Sequence, residues 1–164
     1  MMPLPALRTA VPSLLLSLAV GLAGCGDEDR FAAPDNALPG TVEIGGQTIA
    51  VELALDLDSR RNGLMHRTGL TDEQGMLFVF PIVDRRTFWM RNTLISLDIL
   101  FLEDDGTIIN IRADCPPGVE QPGFSSESDC RVVLELRGGW CADHGVGPGD
   151  RVEFDPVLFE RARP

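Results

Sequence analysis

Lysine and tyrosine are missing altogether from the 164 residues. The 14 basic residues are therefore all arginine, set against 25 aspartates and glutamates for a net charge of −11. Without lysine there is no phosphate-loop or Schiff-base lysine, and without tyrosine no catalytic phenol. Two histidines cannot supply a three-histidine metal site from one chain. An anionic surface repels phosphate, so nucleic acid is not an expected partner. No internal repeat is visible.

Charge is also scarce at the start of the chain, where Arg8 is the one charged side chain before Asp27. Val11 to Ala23 is apolar or small, and shorter than the ~20 residues that a membrane-spanning helix needs. It fits the apolar region of a secretory signal peptide. Leu22-Ala23-Gly24-Cys25 follows and resembles the cleavage motif of bacterial lipoproteins, in which the cysteine is lipidated and becomes the new N-terminus. The expectation is a signal peptide over 1–24 and a lipid anchor on Cys25, with a flexible acidic tether over 25–40. A single domain over 41–164 would face the periplasm or the exterior, held at the bacterial cell envelope.

The domain reads as β-rich. Thr41–Ile44 and Gln47–Leu55 flank Gly45-Gly46, a hairpin signal. Asp56 to Ser59 offers caps for a short helix through RRNGLMHR. Strands are expected at Met76–Phe80, Thr87–Arg91, Leu97–Glu103, Thr107–Ala113 and Arg131–Arg137, with a turn at Asp104-Asp105-Gly106. Residues 114–131 read as a long loop, residues 139–144 as one helical turn, and the glycine-rich stretch Gly145–Asp150 as a turn into Arg151–Phe154. About eight short strands with one or two short helices predict a jelly-roll-like sandwich or a distorted barrel.

GLMHR, GMLFVF, FWMRNT, LDILFLEDDG, VLEL and GVGPGD, in this order and spacing, resemble the bacterial and archaeal domain-of-unknown-function family 192 over residues 41–155. That resemblance implies a compact, mostly β domain, often exported, and no established activity. It places Arg60, the Trp89-Met90-Arg91-Asn92-Thr93 block, Asp98 and Glu135 at family positions. His66 departs from it, because relatives more often carry an aromatic or apolar residue there.

Several residues carry candidate chemistry. Asp98 interrupts an apolar strand, and a carboxylate there needs a partner. Arg60, Arg91 and Asn92 are candidates, either as a buried pair or around a pocket floor. Glu135 sits between Leu134 and Leu136, on a solvated sheet face or facing Asp98 as half of an acid–base pair. Trp89 and Met90 point oppositely in a strand, so one lies outside the core, and an exposed Trp89 would stack on a planar ligand or a sugar. The expected ligand set is Arg60, Trp89, Arg91, Asn92, Asp98 and Glu135.

An oxidising envelope favours a disulfide, and Cys115 and Cys130 flank the long loop. A bridge between them would close it and leave Cys141 as the odd thiol, three residues before His144. That spacing raises a Cys–His nucleophile, though no catalytic frame surrounds it. Met65, Met76 and Met90 with His66 would bind Cu(I) if they converged at an accessible point. No cofactor is expected. The leading expectation is a membrane-anchored lipoprotein that serves as a small binding or structural module for an unknown envelope ligand or protein. The alternatives are an envelope hydrolase using Asp98 and Glu135, and a copper-binding protein.

Overall fold

The computed structural model describes residues 38–164, so the signal peptide, Cys25 and most of the tether lie outside the described residues. The chain runs β1 (Leu38–Ile44), β2 (Gln47–Ala54), α1 (Leu57–Asn62), β3 (Gln74–Asp84), β4 (Thr87–Phe88), β5 (Leu97–Leu102), β6 (Ile108–Cys115), β7 (Phe124–Ser125), β8 (Cys130–Arg137), α2 (Trp140–His144), β9 (Val152–Glu153) and α3 (Leu158–Arg161). Seven strands form one curled sheet in the order β6-β5-β8-β3-β2-β1-β9, while β4 and β7 pair separately. The Thr107–Arg151 bridge brings the β9 end back to the start of β6, so the sheet curls into a half-barrel. Of the two architectures expected, the structure takes the barrel-like one. No helix among the described residues is long and apolar enough to cross a membrane.

Local sequence explains most elements. Gly45 and Gly46 both have positive φ, +57° and +75°, as a two-residue turn between twisted strands requires. The hairpin they close starts at Leu38, three residues inside the expected tether, because Leu38 to Gly40 pair with Val51 to Leu53. Asp56 and Ser59 form a reciprocal capping box at the start of α1. The helix stops at Asn62, short of the expected GLMHR, because Gly63 turns to φ +48°. The expected strand Thr87–Arg91 is cut to two residues. Met90 N–H instead donates to Val119 O at 2.7 Å, and Met90 O accepts from Gly118 and Thr93.

Both faces of the sheet are covered, so β5 (LDILFL) is buried at all six positions. One face carries Leu53, Leu77, Val79, Leu100, Leu102, Leu134 and Leu136 and is closed by Trp140, Cys141 and Leu158. The other carries Ala54, Met76, Phe78, Ile99, Phe101 and Val133 and is covered by Leu64, Met90 and the β4–β7 segment. Burial of this much apolar area on both sides is the main driving force, at roughly 25 cal/mol per Å².

The expected Cys115–Cys130 bridge is not formed. Both are free thiols, as is Cys141. The register excludes the bridge: β6 and β8 both run antiparallel to β5, Cys115 lies opposite Leu97, and Val132 lies opposite Leu102. The two cysteines therefore sit at or beyond opposite ends of β5, more than roughly 17 Å apart along it at ~3.3 Å per residue. A disulfide needs a Cα separation under ~7 Å. The long loop is a crossover, not a closed hairpin, which is why its flanking strand ends are not neighbours.

Asp98 is fully buried, and its expected partners are corrected as well. None of Arg60, Arg91 or Asn92 bonds to it. Its carboxylate accepts backbone N–H bonds from Asp114 (2.7 Å), Gly139 (3.0 Å) and Cys141 (2.8 Å). It thereby ties the end of β6 and the start of α2 to the central strand. Asp98→Ala leaves these N–H groups unsatisfied, and should lower the unfolding free energy by about 3 kcal/mol or more. Urea denaturation measures this, and an unchanged midpoint would refute the structural role.

Candidate functional site

Helix α1 and the segment after β4 form the two walls of an open cleft over the second face of the sheet. Three connected hollows make it up, all bordered by Arg61 and Trp89. One arm, about 260 Å³, is walled by Leu57, Phe80, Phe88 and Trp89. A second, about 280 Å³, is bounded by Asn62, Met65, Arg91 and Asn92. Between them a narrow shaft of about 30 Å³ descends past Phe78 and Thr93 to Glu135. The walls are joined at one end by the His66 N–H, which donates to Asn92 O at 2.8 Å. Both residues have positive φ (65° and 54°), a conformation that Asn and His tolerate better than branched residues.

Glu135 is 4 % exposed. Its neighbours on the same face are Met76 on one side and Ile99 on the other. No hydrogen bond or ion pair reaches its carboxyl among the described residues, and burial pushes it up to about 8. The contrast with Glu52, two strands away in the same row, is instructive. Glu52 is equally buried, but its Oε1 accepts from Arg67 Nη2 at 2.5 Å. Burial raises the Glu52 carboxyl too, while Arg67 opposes the shift.

Asp98 and Glu135 do not form an acid–base pair. Asp98 lies opposite Leu136 and Ile99 opposite Glu135, so the two carboxyls point to opposite faces of the sheet. The expected ligand set otherwise converges: Arg60, Trp89, Arg91, Asn92 and Glu135 all border the cleft, and Asp98 alone lies outside it. Arg60 is bound into the scaffold. Its guanidinium donates to Leu55 O (2.8 Å), Val79 O (3.1 Å) and Arg163 O (2.6 Å) and lies over Phe80. Arg91 is exposed, with a loose 3.9 Å contact to Glu120. Trp89 is 48 % exposed, whereas Met90 beside it is fully buried.

Sequence reasoning missed Arg61, which borders all three hollows and is exposed, with no hydrogen-bond or ion-pair partner among the described residues. It also missed the apolar wall of Leu57, Phe80 and Phe88. The adjacency of Arg60 and Arg61 on a short capped helix was the available signal, since neighbours on a helix point in different directions.

The other candidates do not assemble. Met76 and Met90 are buried in the apolar layer, so the three methionines share no accessible point; Met65 alone reaches the cleft. His144 stacks on Trp140 with ring centroids 4.0 Å apart, and its Nδ1 lies 2.9 Å from Trp140 O. The Cys141 thiol is buried, and burial reinforced by Asp98 pushes its pKa well up, the reverse of what a thiolate nucleophile needs. Cys115 is likewise pushed up to about 12, chiefly by burial. Among the described residues no group of three His, Cys, Asp or Glu is placed to hold a metal.

Fold and cleft together define, over the described residues, a barrel-like β protein with a small mixed apolar and basic pocket. The chain belongs to domain-of-unknown-function family 192, described as an uncharacterized ACR, whose profile matches residues 40–154. A crystal structure of a candidate transcription regulator from Sinorhizobium meliloti superposes with a TM-score of 0.70 at 35% identity, covering 76% of this chain and 99% of that one. A protein of unknown function from Novosphingobium aromaticivorans superposes with a TM-score of 0.65 at 38% identity, covering 74% and 90% respectively. No curated protein shows significant sequence similarity to the chain.

The raised Glu135 carboxyl makes stability depend on pH. Between the ordinary value of 4.5 and about 8, the folded state holds a proton that the unfolded chain has lost. Stability therefore falls as pH rises through that window. Glu135→Gln should flatten the decline and raise the melting temperature at pH 8, with Glu52 leaving a smaller residual slope. Calorimetry from pH 4.5 to 8 tests this; parallel curves for the two proteins would place the Glu135 carboxyl in contact with water.

Proposed function

We propose that the chain is a lipid-anchored binding module of the bacterial cell envelope that takes a small ligand in the cleft between α1 and the post-β4 segment. One observation carries the binding reading: a carboxyl that is 4 % exposed and unpartnered sits at the foot of an open shaft. A buried polar group without a partner costs about 1–3 kcal/mol. A bound hydroxyl would supply that partner. Trp89 at the mouth offers a flat apolar surface of the kind that concentrates binding energy. The envelope reading rests on the apolar run before Leu22-Ala23-Gly24-Cys25. The net charge of −11 opposes a polyanionic partner, so the regulator description of the Sinorhizobium meliloti protein is not carried over to this chain.

A ligand that binds only the folded state raises its melting temperature by mass action. The full-length chain should therefore show a shift with some member of a panel of envelope sugars, peptidoglycan fragments, amino acids and metal ions. That shift should vanish in Trp89→Ala, a change to an exposed side chain. A shift that survives Trp89→Ala, or no shift from any compound, would remove the cleft as the binding site. For the anchor, Cys25→Ser should yield an exported form that is no longer lipidated, and fractionation with mass spectrometry reads this directly. A variant cleaved and membrane-bound like the natural protein would overturn the anchor.

A further inference from the structure

We infer that the ligand of this cleft is a sugar ring bearing a single carboxylate, as a free uronic acid or as the one acidic unit of an otherwise neutral glycan. The inference rests on the binding reading above and specifies its chemistry.

The charge distribution supplies the first argument. Acids outnumber bases 25 to 14 along the chain. The cleft border reverses this balance, with Arg60, Arg61 and Arg91 and one acid, Glu135. Arg60 is committed to three carbonyl groups. Arg61 is not committed, and stands where the three hollows meet. An uncommitted guanidinium on an anionic protein is matched to a single carboxylate, which it can hold through two parallel N–H bonds. A cationic ligand would meet the same arginines as repulsion. A polyanion would meet the surrounding negative field.

The second argument separates a sugar from a flat aromatic acid. Trp89 gives either one a stacking surface. The shaft, however, is about 30 Å³ against about 260 and 280 Å³ for the two arms, so it suits a small polar group better than a ring. At its foot a carboxyl that keeps its proton can both donate and accept a hydrogen bond, which matches a hydroxyl. Thr93 is beside the shaft, and Asn62 and Asn92 border the adjoining arm, adding donors and acceptors for the remaining hydroxyls. A ring lying on Trp89, with one hydroxyl in the shaft and a carboxylate toward Arg61, uses every uncommitted polar feature of the cleft. Benzoate would leave Glu135 unsatisfied, and a neutral hexose would leave Arg61 unused.

The test is titration of the full-length chain with glucuronate, a disaccharide of glucuronate and a neutral sugar, glucose and benzoate, followed through the indole N–H resonance of Trp89. That resonance is distinguishable from Trp140, whose N–H is held by Asp72 O at 2.9 Å. Glucuronate or the disaccharide should shift the Trp89 signal in a saturable way. Arg61→Gln, an exposed change, should weaken the binding about tenfold or more with the fold intact by circular dichroism. Glucuronate binding would point to the free acid, and binding by the disaccharide alone to a unit within a glycan. Glucose binding as tightly as glucuronate would overturn the carboxylate requirement, and benzoate binding as tightly would overturn the sugar. No binding by either uronate would overturn the inference outright. The cleft reading is judged separately, by whether any panel compound gives a shift in melting temperature that Trp89→Ala abolishes.

Discussion

Three carboxyls, Glu52, Asp98 and Glu135, are carried into the interior by a sheet whose two faces are both covered. A buried carboxyl must find a cation, find backbone donors or keep its proton. The structure contains all three outcomes. Glu52 has Arg67, a pair that holds the segment after α1 against β2. Asp98 has three backbone N–H groups, and through them joins the end of β6, the central strand and the start of α2. Glu135 has neither, and it is the one that opens onto a cleft. The same constraint therefore organises the fold twice and marks the candidate site once.

The cleft depends on where two helix ends and one interrupted strand fall. The capping box of Asp56 and Ser59 starts α1, and Gly63 ends it within two turns. That leaves Arg60 turned into the scaffold and Arg61 at the mouth. On the opposite wall, the backbone of Met90 bonds to Val119 and Gly118 instead of continuing β4. Met90 is thereby drawn into the core and Trp89 is left half in solvent.

Much of the architecture was legible along the chain. The Gly45-Gly46 and Asp104–Gly106 turns, the alternation of β1 and β2, the apolar run of β5 and the capped start of α1 are local signals, and the structure follows them. Most of the cleft border was legible too, because Arg60, Trp89, Arg91, Asn92 and Glu135 stand out as polar or large aromatic residues inside apolar or turn-rich context. What could not be read was which of them face one another. Asp98 and Glu135 are each flanked by leucine or isoleucine and look equivalent in sequence. The β5–β8 register puts them on opposite faces, because a side chain changes face with every residue. Cys115 and Cys130 likewise flank one loop, yet the crossover sets them at opposite ends of β5.

The sequence by itself determined the composition of the surface, the β-rich class, the positions of the turns and the leader-like segment, because each depends on neighbours within a few residues. It also showed that two carboxyls, Asp98 and Glu135, would have to be accommodated among apolar strands, and Glu52 came to light as a third only in the structure. Only the tertiary structure decided which carboxyl was capped, which was paired with Arg67 and which was left facing a pocket. Those outcomes depend on strand order and register, which bring together residues far apart in the chain, such as Asp98 and Cys141. Burial then converts that placement into chemistry: the same glutamate that is an ordinary anion in water becomes, at the foot of the cleft, a group that holds its proton near neutral pH.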